Sequence, residues 1–398
     1  MGSAPTKPIE STGEPGEASP VEPLAIYLHV PFCGQRCAYC HFEIKVFHPS
    51  SGPGLRDAFV RRYVAGLARE IETYAPRFRD REVGSLFFGG GTPSRLDLDV
   101  LAKILECVKR RFDVREDAEI SIEVNPEDGT RDYLNGLRAL GFTRLSFGVQ
   151  TFDDRGLRAI GRPHDGAGAL RVLGETPAFP HGVSVDLMLG LPFQNRETLE
   201  RDLNHIEALA LGHLSVYMLE TDLPTPLDKT GRDYPMPDAD AQAESYEHLC
   251  VRLAQMGLVQ YEISNFARDG LRCRHNSVYW RCGDYLGLGP AAHGRTGLEY
   301  RANHARLGDW FAAVEAHGLG VAQTERWSPE RLRRERLVQG FRLNEGVPAS
   351  WISPEDRAQL SRCETYGLVW CRDGRCGLTA KGRLLGNEVF QIFVARDE

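Results

Sequence analysis

From Leu24 to Glu220 the chain alternates short apolar runs with longer amphipathic stretches, and this alternation constrains its fold more than any other feature. The runs are LAIYLHV (24–30), SLFFGG (85–90), EISIEV (119–124), RLSFGVQ (144–150), VSVDLMLG (183–190) and HLSVYMLE (213–220). Between them lie segments with helical spacing of apolar residues, such as DAFVRRYVAGLAREIETY, LDVLAKILECVKRR, TRDYLNGLRALG and RETLERDLNHIEALA. Strands alternating with helices of this length specify βα units and a parallel sheet. Crossovers between such strands are right-handed, so consecutive units curl in one sense. A closed barrel of this type needs eight units, and six runs are present here. The expected fold is α/β, an open partial (β/α)6 barrel with a lateral gap for a large substrate. A doubly wound sheet is the structural alternative.

The unusual residues fall at the carboxyl ends of these runs. HVPFC follows the first, GGGTPS the second, EVNPE the third, GVQTF the fourth, DLMLGLP the fifth and YMLETD the sixth. In parallel βα architectures that face carries the active site. Chain reversal accounts for the Pro and Gly in these motifs. It does not account for Glu123, Gln150 and Asp186, polar groups near the tips of otherwise buried strands. Glu123 and Asp186 can accept from an amine or from ribose hydroxyls, and Gln150 can both donate and accept. Gly89, Gly90 and Gly91 leave the main chain bare, so a ligand can approach it closely. Thr92 adds a hydroxyl and Pro93 fixes the exit. Arg162, in IGRPHD, can make a two-pronged contact with a carboxylate, although a lone arginine is as readily a solvated surface residue. Tyr27 shares a strand face with His29. Tyr27 and Tyr39 read equally well as aromatic packing around a pocket.

Three cysteines, Cys33, Cys37 and Cys40, stand in PFCGQRCAYCHF with the spacing C-x3-C-x2-C. A cubane iron–sulfur cluster normally takes four thiolates, so three leave one iron open to another ligand. Zinc is the alternative, with His29 or His41 completing a Cys3His set. The other cysteines show no repeated metal spacing. Cys107 and Cys250 lie in helical patterns as small buried hydrophobes, and Cys371 and Cys376 flank the turn RDGR, placed to face each other across a hairpin.

Residues 1–22, rich in Pro, Gly, Ser and Glu, cannot bury enough surface to offset their ordering entropy and are expected to form a disordered tail. The tail has neither the apolar region of a secretory signal nor the arginines of a transit peptide, so the expected location is the cytoplasm. No apolar run is long enough to span a bilayer, which leaves peripheral membrane contact open. A net charge of −7 argues against nucleic acid as a partner, which needs a basic footprint. The barrel core is expected over 23–235. An extension over 236–325 holds CRHNSVYWRCGDYLGLGPAAHG, in which His275, Tyr279, Trp280 and His293 suit either a flat apolar ligand or ordinary core packing. Residues 326–398 read as helices opened by Ser-Pro signals plus a two-stranded wing, a mostly α, winged-helix-like domain. It lacks a strongly basic recognition helix, so protein packing or lid duty is expected of it.

Together these motifs resemble the radical S-adenosylmethionine (SAM) superfamily, and within it the oxygen-independent coproporphyrinogen III oxidase-like proteins. The resemblance runs from about Leu24 to the C-terminus and rests on YLHVPFCGQRCAYC, GGGTPS, IEVNP, SFGVQTF, GRPH and DLMLGLP, in that order. It implies that Cys33, Cys37 and Cys40 hold a [4Fe–4S] cluster whose open iron takes the amino and carboxylate groups of SAM. It implies that Tyr27, Tyr39, Gly90, Gly91, Thr92, Glu123, Gln150, Arg162 and Asp186 contact that cofactor. The dehydrogenase branch of the family carries another cysteine two residues after the third ligand, where this chain has Phe42. The haem chaperone branch, HemW, lacks that cysteine and carries HNxxYW, matched here by HNSVYW (275–280). The chain departs from that branch at His41, where an acidic residue is common. The branch implies haem or a porphyrin as ligand or cargo and recipient haem proteins as partners. His275 is the first candidate for haem contact and His293 the reserve, since a neutral imidazole is the commonest axial ligand.

Overall fold

The computed structural model describes residues 22–47, 53–220, 227 and 234–394. The expected tail, apart from Glu22, and most of the Pro/Asp-rich segment after the sixth run lie outside them. The six apolar runs form six parallel strands: β1 (Leu24–Val30), β2 (Glu82–Gly90), β3 (Asp113–Val124), β4 (Arg144–Gln150), β5 (Val183–Leu189) and β6 (His213–Met218). They pair in chain order, and the helices that return the chain are α1 (Pro53–Tyr74), α2 (Leu98–Arg111), α3 (Arg131–Leu140), α4 (Asp154–Ala159), α5 (Gly166–Glu175) and α6 (Arg196–Ala208). Local chemistry sets their ends. Thr130 accepts from Tyr133 N to cap α3, and Gly141 ends it in the left-handed conformation that costs glycine least. Asn195 and Thr198 form a reciprocal capping box on α6. The parallel register keeps the tips level, with Val30 opposite Gly90 and Gly148 opposite Asp186. One buried core, built on residues such as Ile26, Phe88, Ile122 and Phe147, fills the space between sheet and helices.

The sheet is larger than the repeat of βα units indicates. α7 (Ala239–Gln255) leads into β7 (Val259–Gln260) and β8 (Asn265–Ala267), and β8 adds antiparallel to β6. After α8 (Arg274–Trp280), β9 (Tyr285–Leu288) joins the other edge, parallel to β1. β10 (His293–Thr296), β11 (Glu299–Asn303) and β12 (Val321–Arg326) continue it antiparallel, giving twelve strands in an open sheet. These additions are short, and glycine interrupts β9 and β10, which hides their period. The glycine is required: a Cβ on Gly287 would lie 2.0 Å from the carbonyl oxygen of His293. α9 (Leu307–His317) packs Trp310 and Phe311 into the same core as Tyr63 of α1. A buried carboxylate ties the two together. Glu70 of α1 accepts from Gly289 N (2.7 Å), Gly320 N (2.9 Å), Asn303 Nδ2 (3.0 Å) and Trp310 Nε1 (3.2 Å). Burial pushes its pKa up to about 7, even against those four donors.

The C-terminal residues carry a second buried cluster around Leu337, Phe341, Leu360, Val369 and Phe393. α10 (Pro329–Arg342) and α11 (Pro354–Thr365) each start on a capping serine, Ser328 or Ser353, followed by proline. β13 (Val347–Pro348) pairs with β15 (Arg375–Leu378), which pairs with β14 (Val369–Arg372). The wing therefore has three strands where the sequence pattern indicates two, within a winged-helix-like arrangement. Cys371 and Cys376 face each other across the hairpin, joined as a disulfide. The last helical segment breaks into α12 (Ala380–Leu384) and α13 (Gly386–Phe390). Gly386 sits at the break.

Candidate functional site

The carboxyl ends of the parallel strands open into a cavity of about 1380 Å³. That exceeds the roughly 300–1,000 Å³ usual for one small-molecule site. Cys33, Cys37, Tyr39, Cys40, Gly90, Gly91, Thr92, Glu123, Gln150, Arg162 and Asp186 all line it. Tyr27 does not. Its hydroxyl meets His29 Nδ1 at 3.1 Å and its ring stacks on Phe87.

The thiols sit where strand ends and bare backbone let them. Cys33 follows β1, and Thr92 Oγ1 donates to its sulfur at 3.2 Å. A Cβ on Gly91 would fall 3.1 Å from that sulfur and 2.8 Å from Val30 O, so the glycine makes the close approach possible. Arg162 donates from Nη1 towards Cys37 Sγ at 3.6 Å and from Nη2 to Asn125 Oδ1 (2.9 Å) and Gly148 O (2.5 Å). This arginine is therefore a fixed part of the pocket and not a solvated one. Burial pushes the Cys33 thiol up to about 11 and raises Cys40 as well. Thiols raised by burial, as at Cys33 and Cys40, fit a metal centre, because bound iron supplies the charge that stabilises thiolates. Among the described residues no group of three His, Cys, Asp or Glu could hold a single metal ion.

The acceptors stand across from the thiols. Glu123 Oε2 accepts from Gly90 N at 3.0 Å, and Asp186 Oδ1 accepts from Ser146 Oγ at 3.0 Å. Burial, helped by the nearby Asp186, pushes Glu123 up to about 8. Burial pushes Asp186 up to about 6 against its serine hydrogen bonds. Carboxyls held this far above their usual range favour a cationic ligand that would let them ionise. Gln150 adopts a left-handed φ of 71° where the β4–β5 register slips. Such strain in a non-glycine residue is held where it serves a site.

The chain's similarity to known proteins follows the same residues. The family model "Radical SAM superfamily" matches residues 27–206. HemW of Mycobacterium tuberculosis, named a haem chaperone, is 33% identical over 94% of this chain and 96% of its own. A bovine protein, radical S-adenosyl methionine domain-containing protein 1, mitochondrial, is 36% identical over 86% of this chain and 78% of its own. Among solved structures, the coproporphyrinogen III oxidase HemN of Escherichia coli, a radical SAM enzyme, superposes with a TM-score of 0.82 at 27% identity, covering 94% of this chain and 91% of that one. This chain belongs to the radical SAM superfamily, in its HemW branch. Membership implies a [4Fe–4S] cluster and SAM.

The motif HNSVYW divides in the structure of this HemW-branch chain. Asn276, Tyr279 and Trp280 share one face of α8 and line the cavity. His275, one turn before Tyr279, is fully buried and does not line the cavity. Its Nδ1 meets Ser85 Oγ at 3.0 Å and its Nε2 meets the Tyr279 hydroxyl at 2.8 Å. Burial pulls its pKa down to about 4, so the ring is neutral. Both nitrogens are engaged, so in this arrangement the expected haem ligand His275 braces Tyr279. His293, the reserve, is exposed, bonds Tyr300 and does not reach the cavity. The histidine that does line the cavity is His41. Sequence reasoning also missed the far wall, formed by Tyr217, Met218, Arg342, Arg383, Leu385 and Phe390. Its one sequence signal is an apolar pair, Tyr217–Met218, at the carboxyl end of β6.

Proposed function

We propose that this chain binds haem beside its cluster and passes it to recipient haem proteins, as a chaperone of the HemW type. The observation that carries this reading is one continuous cavity that holds the cluster cysteines at one end and an apolar wall at the other. Exposed apolar side chains gathered around one cavity mark a binding site, whereas single ones scattered over a surface do not. Here Phe42 (59% exposed), Tyr217 (43%) and Leu385 (46%) all face the cavity. In this reading Cys33, Cys37 and Cys40 hold the cluster, and Arg162 donates to the Cys37 sulfur. Glu123 and Asp186 accept from the bound SAM, the glycines of GGGTPS admit it to the backbone, and Gln150 and Tyr39 close around it. When bound, the cluster and SAM supply one-electron cleavage of a sulfonium. The domain over 326–398 closes the cavity as a lid, the extension over 236–325 forms its side, and the barrel over 23–235 forms its floor.

The dehydrogenase reading, coproporphyrinogen III as substrate, draws support from the likeness to HemN over 94% of this chain. Phe42 weighs against it, because an exposed ring stands where that branch carries a cysteine. The test is to reconstitute the cluster anaerobically and offer haem and coproporphyrinogen III side by side. A one-to-one haem complex without porphyrinogen conversion is expected. Production of protoporphyrinogen IX would overturn the chaperone reading. No helix among the described residues is long and apolar enough to cross a membrane. Bacterial relatives support the cytoplasmic location, while the mitochondrial name of the bovine relative points to the other compartment.

A further inference from the structure

The far wall of the cavity holds charge that the protein does not use. Arg383, on α12, lines it between apolar neighbours. A guanidinium has five N–H donors. Arg383 spends one Nη1 bond on Asn344 Oδ1 at 2.9 Å, and its Nε is buried without an acceptor. Among the described residues no carboxylate pairs with it. Arg342, at the end of α10, lines the same wall. It reaches buried Glu262 through Nη2 at 3.3 Å, lies over the Trp280 ring at 4.2 Å, and leaves its own Nε unpartnered. The indole Nε1 of Trp280 is also buried without an acceptor. Buried donors left unpaired are destabilising, so this wall is incomplete without an acceptor. The acids that line the same end are Glu220, Glu262 and Glu388. Glu262 is already satisfied by Arg342, Ser264 N and Asn265, and Glu388 takes Gln391.

We propose that Arg383, with Arg342 beside it, receives the carboxylate side chains of a flat apolar macrocycle whose ring lies against Tyr217, Leu385 and Phe390. This deepens the haem reading and rests on it. It assigns orientation to residues outside the 27–206 match to the radical SAM family: the acidic edge of the ligand points to the C-terminal domain. Arginine suits this duty because its planar fork matches a carboxylate. A tetrapyrrole carrying propionates has that chemistry, and so does its reduced, more carboxylated precursor.

The test uses the full chain with its cluster reconstituted, titrated with haem and with haem dimethyl ester, which keeps the ring and loses both charges. Wild type is expected to bind haem at least about tenfold tighter than the diester, the loss of one charged hydrogen bond. Arg383→Gln is expected to weaken haem by about tenfold and to shift the diester by less than about twofold. Equal wild-type affinity for the two ligands overturns the proposal while leaving the haem reading intact, and needs no variant to fold. Haem affinity unchanged in a folded Arg383→Gln protein also overturns it. Failure of wild type to bind either ligand removes the haem reading itself, and this inference with it.

Discussion

If Glu123 and Asp186 receive SAM as proposed, the two raised carboxyls make its binding a proton-linked event whose size follows from their shifts. Glu123 titrates at about 8 and Asp186 at about 6, each raised first of all by burial. The ligand brings a positively charged sulfonium, and it favours both groups ionised. The sign follows: a raised carboxyl is protonated in the free protein, so binding must expel the proton, and affinity climbs as pH rises. Near pH 6 about 1% of Glu123 and about half of Asp186 are ionised; near pH 8 the fractions are about half and nearly all. If only the doubly ionised pair binds, affinity rises about 100-fold over that interval, and about one proton leaves per ligand near pH 7.

Calorimetry in buffers of different ionisation enthalpy measures both quantities. The ligand's own amino group titrates near the same range, at about 8, so the decisive number is the difference between wild type and Glu123→Gln. The variant keeps the shape of the side chain and removes the larger titration. Its pH dependence should shrink by about 50-fold, leaving the roughly twofold share of Asp186. Identical pH profiles for the two proteins, with equal proton release, would refute the argument that Glu123 faces the ligand's charge.

Four further outcomes are expected. Anaerobically reconstituted protein should hold about four irons per chain, and Cys33→Ala, Cys37→Ala or Cys40→Ala should abolish them while Cys107→Ala retains them; stoichiometric zinc without iron would contradict this. Gly91→Ala should lose the cluster with its circular dichroism intact, because the new Cβ would stand 2.8 Å from Val30 O, 2.9 Å from Phe32 O and 3.1 Å from Cys33 Sγ; normal iron content would mean the backbone there can yield. Glu70→Ala strands the N–H groups of Gly289, Gly320 and Trp310 and should cost roughly 3–6 kcal/mol in urea unfolding, with a loss below about 1 kcal/mol counting against a buried tie. His275→Ala should lower stability and leave the visible spectrum of a haem complex unchanged, since its nitrogens already serve Ser85 and Tyr279; a changed Soret band would restore it as a ligand.

What could be read from the sequence, and what could not, divides along physical lines. The six parallel strands were legible because each is a long buried run bounded by a helix with its own period. That Glu123, Gln150 and Asp186 would meet at one cavity was legible because chain direction alone puts every strand tip on one face. β9 to β12 were not, since a four-residue strand such as Tyr285–Leu288 carries too few residues to show a period and depends on Gly287 for its approach to His293. The fate of His275 and Trp280 was not legible either. Both sit in one six-residue motif, but a helix turns about 100° per residue, so neighbours in sequence face different surroundings. Here that rotation sends His275 inwards to Ser85 and Trp280 to the cavity with Arg342 over its ring. Arg342 and Arg383 come from segments far along the chain from the cysteines, and nothing in either segment hints at a ligand. Only packing of the C-terminal domain against the mouth of the barrel brings them to face it. The cofactor end is thus encoded by local motifs at strand tips, while the far wall is encoded by tertiary contact.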